Sequence, residues 1–225
     1  MKEQLVKRAI YSFFGPPGSG KGTLAQKLVA DDQYLVLSTG NLCRQHVAAG
    51  SEFGKTLNQY LKQGHLIPDA LVTEMVIDWL LAQTQTTSPI ILDGFPRTQG
   101  QANIFLNFLN DVRDKFLFKV IVFDLSDDEI VKRLSQRIVC ANKGCQATFT
   151  DSQKQEKCTF CGGFLTKRED DQEDVVRERL MQFPAHKEAL LGFYNTTGQV
   201  VVHLDIARLL PLQVYASFLQ FSRKS

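Results

Sequence analysis

The chain has 225 residues, of which 44% are hydrophobic and 22% charged, and its formal net charge is +2. This is the ordinary balance of a water-soluble globular protein, and a charge so close to neutral excludes a global attraction to nucleic acid or to a membrane surface. No apolar stretch approaches the ~20 residues that a membrane-spanning helix needs, and the apolar run near the N-terminus is too short for a secretory signal. We therefore expect a cytoplasmic protein.

Short apolar runs alternate with helical patterns along the chain. The predicted strands are residues 10–14, 34–37, 90–92, 119–123 and 200–204. The predicted helices are residues 21–30, 41–48, 53–63, 70–83, 99–110, 127–137, 170–191 and 208–221. Short runs rich in β-branched and aromatic residues are typical of central parallel strands that helices cover on both faces. The pattern predicts an α/β protein whose ligands bind at the carboxyl ends of the strands.

Two segments interrupt this alternation. About fifty residues, mostly helical, separate the second and third predicted strands, which exceeds one crossover helix and indicates a small helical insertion. The second interruption covers residues 138–167 and contains four of the five cysteines. It is predicted to be a short β or loop module.

The segment GPPGSGKGT, residues 15–23, joins the first predicted strand to the first predicted helix. Its glycines let backbone N–H groups converge on an anion, and the start of the helix adds positive dipole. Lys21 supplies a full charge for the outer phosphates of a nucleotide. A tight glycine-rich turn without a ligand is the alternative. Gly22 stands where Ser or Thr would offer a hydroxyl to Mg²⁺, and Thr23 replaces that group only in part.

A second motif, DGFPRT, occupies residues 93–98. Asp93 ends a predicted strand, where its carboxylate can hold Mg²⁺ directly or through water. Arg97 offers a planar fork suited to phosphate. The alternative is a turn in which Asp93 caps the next helix.

Further arginines are candidates for binding a polyanion. In STGNLCR, residues 38–44, Thr39 is a predicted N-cap and Arg44 lies about one turn further on, although this is also common turn chemistry. Arg133 and Arg137 are four residues apart on one predicted helix and share a face there. Arg168 and Arg179 are eleven residues apart and point the same way if their helix begins early. A solvated charged face is the alternative for each arginine.

Four clustered cysteines predict a metal site. Cys158 and Cys161 form a CxxC followed by two glycines, while four residues separate Cys140 from Cys145. Both spacings occur in structural zinc sites, and four thiolates give closed tetrahedral coordination. Free thiols or another soft metal are the alternatives, and Cys43 is predicted to be a packing residue.

Together GPPGSGKGT, STGNLCR, DGFPRT and REDDQEDVVRERL, in this order, resemble the adenylate kinase family of nucleoside monophosphate kinases across about residues 10–219. The resemblance implies a P-loop parallel sheet covered by helices on both faces, an AMP-binding helical insertion and a small zinc-stapled lid of the long bacterial type. It divides the chain into a core of residues 1–37, 68–135 and 172–225, an insertion of residues 38–67 and a lid of residues 136–171. It implies reversible Mg²⁺-dependent phosphoryl transfer from ATP to AMP, giving two ADP. We expect a monomer that binds neither nucleic acid nor a membrane.

The resemblance also assigns residues to sites. Those expected at ATP are Gly18, Ser19, Gly20, Lys21, Gly22, Thr23, Arg133, Arg137, Thr148, Phe149 and Arg208. Those expected at AMP are Thr39, Arg44, His65, Leu66, Ile67, Gly94, Phe95, Pro96, Arg97, Gln101, Arg168 and Arg179. The cations expected to act in catalysis are Lys21, Arg97, Arg137, Arg168 and Arg179. Asp93 is expected at Mg²⁺, and a structural Zn²⁺ is expected at Cys140, Cys145, Cys158 and Cys161.

Some positions depart from the family pattern. Asn41 replaces the usual Asp, Phe149 stands where lids often carry Tyr beside the adenine of ATP, and Ile206 follows Asp205 where Gly is usual. The resemblance implies that Thr39 and Gln101 favour adenine in the acceptor. The alternatives are another nucleoside monophosphate kinase (UMP/CMP or GTP:AMP), a zinc-ribbon nucleic-acid binder with a regulatory nucleotide site, and a nucleotide-binding scaffold without catalysis.

Overall fold

The computed structural model describes residues 7–62, 67–83, 86–112, 114–142, 145, 147–150, 155–167, 171–207 and 209–223. The strands are β1 (Arg8–Phe14), β2 (Leu35–Ser38), β3 (Ile90–Asp93), β4 (Phe116–Asp124), β5 (Arg137–Cys140), β6 (Thr148–Thr150), β7 (Leu165–Thr166) and β8 (Val200–Asp205). The helices are α1 (Lys21–Asp32), α2 (Thr39–Ala49), α3 (Glu52–Lys62), α4 (Asp69–Ala82), α5 (Gln99–Asp111), α6 (Asp127–Ser135), α7 (Glu173–Thr196) and α8 (Pro211–Arg223).

The main sheet has five parallel strands in the order β2-β3-β1-β4-β8. Helices α4, α5 and α7 pack on one face, where Phe105 and Tyr194 are fully buried against the strands. Helices α1 and α8 pack on the other face through Leu28 and Phe218, and Phe13 meets Phe218 edge to face at 5.4 Å. The predicted parallel sheet with helices on both faces is therefore confirmed.

Strands β2 and β8 form the two edges of this sheet, whereas the sequence predicted central strands throughout. Val200, at the start of β8, is 48% exposed, and in the described part of the chain β8 pairs with β4 alone. Its polar residue His203 lies beside Asp124 at the end of β4. The Asp124 carboxylate accepts hydrogen bonds from Lys187 Nζ at 2.6 Å and pairs with His203 Nδ1 at 2.7 Å. These contacts tie the edge strand and α7 to the centre of the sheet.

The two interruptions are structurally distinct from the main sheet. Residues 39–62 form α2 and α3, which meet at a corner where Ser51 Oγ accepts the Gly54 N–H at 3.0 Å. Strands β5, β6 and β7 form a separate antiparallel sheet in the order β6-β5-β7, which confirms the short β module predicted around the cysteines. Among the described residues, no helix combines the length and the apolar character needed to cross a bilayer.

Two local predictions were wrong. Arg137 does not share a helix with Arg133, because α6 ends at Ser135 and Arg137 begins β5. The β-branched pair that follows Arg137 favours a strand, which pairs with β6. Thr39 is not an N-cap but the first residue of α2, and Ser38 is in the cap position without a side-chain capping bond.

Replacing Asp124 by Asn is expected to lower the free energy of unfolding by about 0.5–1 kcal/mol, since the contacts are partly exposed. Burial opposes ionisation, but hydrogen bonds from Lys187 and His203 outweigh it and hold the pKa of Asp124 below the usual carboxyl value. A depressed carboxyl pKa stabilises the fold above the unfolded pKa, and this stabilisation is lost as the pH falls through the folded pKa.

Urea unfolding of wild type and Asp124→Asn therefore should differ at about pH 7 and converge toward about pH 3. Asp114→Asn, in an exposed turn, is the control and should match wild type at both values. A difference for Asp124→Asn that does not change with pH would contradict the ionic origin of the stabilisation.

Candidate active site

Residues 15–20 form a loop between β1 and α1 at the carboxyl edge of the main sheet. Gly15 packs so closely on β4 that a Cβ there would lie 2.8 Å from the Phe123 carbonyl oxygen. Gly20 caps α1 with a φ of 86°, a left-handed conformation that favours glycine, and among the described residues no side-chain hydrogen bond caps the helix. The first backbone N–H groups of α1 can therefore donate hydrogen bonds to an anion, as the sequence predicts.

The Lys21 ammonium is held over this loop. Its Nζ donates to the carbonyl oxygens of Gly15 at 2.9 Å and Pro16 at 2.7 Å, and to Ser19 Oγ at 3.0 Å. Three oxygen partners fix the charge at the mouth of the loop. The arrangement places a full positive charge beside the positive end of α1, where phosphate oxygens would be attracted to both.

Asp93 lies against the start of α1. It ends β3, the neighbour of β1, and its Oδ2 is 3.7 Å from the position that a Cβ on Gly22 would take. Gly22 therefore leaves the space between the loop and this carboxylate open, whereas a larger residue would fill it. A carboxylate oxygen beside a phosphate-binding loop is suited to Mg²⁺, directly or through water.

The turn after β3 presents the next group of predicted residues. Gly94 has a φ of 75°, and Arg97 Nε donates to its carbonyl oxygen at 2.8 Å, which folds the exposed Arg97 side chain back over the turn. Thr39 Oγ1 reaches the same carbonyl at 3.1 Å from α2. The buried Gln101 accepts the Arg97 N–H at 2.8 Å and donates its own N–H to Thr98 Oγ1 at 3.1 Å. Thr98, not Asp93, therefore caps α5.

Helix α2 contributes residues whose place at the site the sequence predicted only in part. Arg44 NH2 donates to Asn41 Oδ1, so the unusual Asn41 orients an expected AMP-binding arginine. Cys43 is half-buried close to Arg44 and Arg97; burial raises the pKa of its thiol, and the two positive charges act in the opposite direction. Cys43 thus borders the predicted acceptor site, whereas the sequence suggested only packing.

Arg137 has a partner that sequence reasoning missed. Its guanidinium binds the Asp171 carboxylate through two bonds, of which Nε to Oδ2 is 2.7 Å, and both side chains are largely buried. Asp171 lies just outside α7, which begins at Glu173. Arg133, on α6, binds Glu129 at 3.1 Å. Arg137 and Asp171 are 34 residues apart in the chain, so local sequence patterns do not reveal their ion pair.

The four predicted metal ligands converge. Their sulfur atoms all lie within 4.8 Å of one another, with Cys140 and Cys161 at 3.4 Å and Cys145 and Cys158 at 3.7 Å. Four thiolates around Zn²⁺ at ~2.3 Å would be about 3.8 Å apart, so the cluster has the size that such an ion needs.

The backbone around the cysteines is shaped for the sulfurs. A Cβ on Gly163 would lie 3.1 Å from Cys140 Sγ, so glycine lets the chain pass the cluster. Burial raises the pKa of Cys140 to about 12, whereas the Gly163 N–H lowers that of Cys161 to about 7. An isolated buried thiol resists ionisation, and a bound cation would supply the missing compensation.

Some predicted residues lie outside the described residues, namely His65, Leu66, Arg168 and Arg208. Arg179 belongs to α7, but its side chain is also outside the part of the chain that the structure describes. Ile67 precedes α4, Phe95 and Pro96 follow Gly94 in the turn, and Thr148 and Phe149 lie in β6. Phe149 is half-buried, and its ring lies 6.1 Å from that of Phe160.

Gly15→Ala and Gly22→Ala make a matched test of the loop. The first substitution forces a methyl group against the backbone of β4, so we expect a loss of about 2 kcal/mol or more in stability and a clearly lower melting temperature. The second meets only an ordinary contact with Asp93, so its melting temperature should not fall. Equal melting temperatures for the two variants, measured by calorimetry, would contradict the close packing described for Gly15.

Comparison with known proteins gives the same family. The family model described as adenylate kinase matches residues 13–199. An adenylate kinase of Petrotoga mobilis is 37% identical over 191 residues, which cover 84% of this chain and 86% of the relative. An adenylate kinase of Archaeoglobus fulgidus is 37% identical over 188 residues (83% and 86%), and one of Streptomyces lividans is 36% identical over 189 residues (83% and 93%). The chain therefore belongs to the adenylate kinase family.

Proposed function

We propose that this chain catalyses the reversible reaction of ATP and AMP to give two ADP, with Mg²⁺ bound to the nucleotide. Family membership supports the reaction class. The observation that carries the residue assignment is the meeting of two motifs at the carboxyl ends of β1 and β3, where Asp93 lies beside Gly22 at the start of α1. A donor phosphate on the loop and an acceptor near Arg97 would then face each other across one sheet edge.

The chemistry would depend on alignment and positive charge. A phosphate oxygen of AMP attacks the terminal phosphorus of ATP, the bond to the bridging oxygen breaks, and ADP leaves with the electron pair. The nucleophile is already anionic, so no general base is required. Lys21, Arg97 and Arg137 would stabilise the charge that spreads over the transferred group, together with Arg168 and Arg179.

In our proposal three of the described cations each exchange a partner within the chain for phosphate. Lys21 would turn from loop carbonyls, Arg97 from the Gly94 carbonyl and Arg137 from Asp171. Hydrogen bonds to phosphate are charge-assisted and stronger than bonds to neutral carbonyls, which favours the exchange for Lys21 and Arg97. For Arg137, phosphate would replace the carboxylate of Asp171, so this exchange costs more free energy than the other two.

The domain division proposed from the sequence assigns residues 38–67 to the acceptor site and residues 136–171 to a lid. The separate three-stranded sheet supports an independent lid, and Thr39 beside the Gly94 carbonyl supports an acceptor site against α2. Thr148 and Phe149 would meet the donor nucleotide from β6. A closing lid would exclude water, which would otherwise hydrolyse ATP.

We infer that the lid binds one structural Zn²⁺ through Cys140, Cys145, Cys158 and Cys161. The size of the sulfur cluster and the glycine that lets the chain pass it support this assignment. The ion would replace a hydrophobic core, because the buried residues of this module include the ligands Cys140 and Cys158 themselves. A monomeric state and a cytoplasmic location remain predictions from the sequence.

The experiment that tests the reaction measures ADP formation from ATP with AMP, UMP, CMP and GMP in turn, and then from GTP with AMP. We expect AMP to be the preferred acceptor and ATP the preferred donor, each by at least about tenfold in kcat/KM, because discrimination depends on polar groups left unpaired by the wrong base. Preference for a pyrimidine acceptor, or for GTP as donor, would replace the proposal by a neighbouring specificity. Absence of any transfer would indicate a binding protein.

Replacing Lys21 or Arg97 by Ala is expected to lower kcat by about two orders of magnitude or more, since each removes a charge that acts on the transferred phosphoryl group. Lys115→Ala, in the turn before β4 and so at the opposite edge of the sheet, is the control and should keep wild-type kcat. Near-normal turnover in both test variants would refute the assigned roles.

Elemental analysis of the purified protein is expected to find about one zinc per chain. Cys161→Ser should lower that content, whereas Cys43→Ser, outside the cluster, should not. Chelation should lower the melting temperature without unfolding the main sheet, because the cluster lies in the separate lid sheet. Protein purified under reducing conditions without any bound metal would contradict the zinc assignment.

A further inference from the structure

Helix α2 has a second face that the nucleotide assignments do not use. Two adjoining cavities of about 330 Å³ and about 190 Å³ lie along it, and both are lined by Leu42 and Trp79. The larger cavity lies between α2 and α3 on one side and α4 on the other, and the smaller one is also lined by Val36, Leu37 and Ser38 of β2. We call this pair of cavities the joint groove, because it lies where the helical insertion meets the core.

The larger cavity has aromatic walls. Trp79, Phe53 and His46 all line it, and the rings of His46 and Phe53 meet edge to face at 5.1 Å. His46 Nδ1 lies 2.9 Å from Ser51 Oγ, which also accepts the Gly54 N–H, so the corner between α2 and α3 fixes the orientation of the imidazole. Aromatic faces carry negative charge density and attract organic cations.

Two carboxylates border the same cavity. Glu74 and Asp78 are four residues apart on α4 and are exposed. Like charges at this spacing repel each other by about 0.2–0.5 kcal/mol. Within the part of the chain that the structure describes, neither carboxylate is in an ion pair, and the cavity lining includes no Lys or Arg. A bound cation would relieve the repulsion.

We propose that the joint groove binds an organic ammonium ion with a small apolar body. The aromatic rings would contact the alkyl groups around the nitrogen, and Leu42 and Met75 would cover the apolar remainder. Glu74 and Asp78 would supply the countercharge at the rim. A simple metal cation cannot use the aromatic and aliphatic walls, and a neutral ligand gains nothing from the two carboxylates, so this chemical class fits the lining best.

The groove could influence the acceptor site through α2. Thr39, at the start of the same helix, contacts the turn after β3, so a ligand between α2 and α4 would bias the position of Thr39. This consequence rests on the proposed function, whereas the binding itself does not. The closing experiment therefore measures binding alone and gives its answer whether or not the chain transfers phosphate.

The chain contains a single tryptophan, Trp79, so its fluorescence reports directly on the groove. The probe is choline, and its neutral analogue is 3,3-dimethyl-1-butanol, which has the same shape without the charge. Titration at constant ionic strength, balanced with KCl, should give a saturable change with a dissociation constant on the order of 1 mM for choline. The neutral analogue should bind at least about tenfold more weakly.

The double variant Glu74→Gln and Asp78→Asn keeps the shape of the rim and removes both charges. Choline should bind this variant at least about threefold more weakly, as expected for two exposed charge contacts. Glu188→Gln, an exposed acid on α7, should bind as wild type does. Saturation transfer from the protein to the choline methyl protons checks the result without relying on Trp79. No saturable response, an equal response to the neutral analogue, or unchanged affinity in the double variant would overturn the proposal.

Discussion

The close approach of the loop after β1 to the backbone of β4 is the constraint on which the site depends. Gly15 has no room for a side chain beside the Phe123 carbonyl, so the loop must turn immediately above the sheet and deliver α1 with its N–H groups facing the carboxyl edge. The parallel register then brings Asp93 to the same edge from β3. No individual side chain creates the site, because the geometry follows from backbone packing in the centre of the sheet.

The described cations of the candidate site are all held by oxygen atoms of this chain. Lys21 binds loop carbonyls, Arg97 binds the Gly94 carbonyl, Arg133 binds Glu129 and Arg137 binds Asp171. Such contacts hold the positive groups near the candidate phosphate site and limit their mutual repulsion. They also reduce the net affinity for a polyanion, because each phosphate contact replaces a contact that already exists. Affinity should thus depend on how many phosphate oxygens bind at once.

The sequence predicted the central architecture well because burial dominates there. Apolar runs such as residues 10–14 and 90–92 lie within β1 and β3, since only a strand covered on both faces can use them. The predictions failed where pairing between residues that are distant in the chain determines the local structure. Arg137 continues a helical pattern in the sequence, but pairing with β6 makes it part of a strand. No local signal could reveal Asp171 as its partner, because the two residues lie at opposite ends of the cysteine module, 34 residues apart.

The three-stranded module that carries the cysteines shows how these two kinds of information combine. Its antiparallel sheet is short, and its buried cluster consists of Cys140, Ala147 and Cys158, so little apolar area is available to stabilise it. Cysteine spacing predicted from sequence alone that the four thiols cluster, since metal ligands must be close in space and often are close along the chain. The ion pair between Arg137 and Asp171 joins the two ends of the same module, since Arg137 begins β5 and Asp171 lies just before α7. In the proposed mechanism the donor phosphate competes with Asp171 for Arg137, so nucleotide binding would act at the base of the lid while the metal keeps its tip folded. A staple at the tip and an exchangeable ion pair at the base would allow such a small module to move as one body.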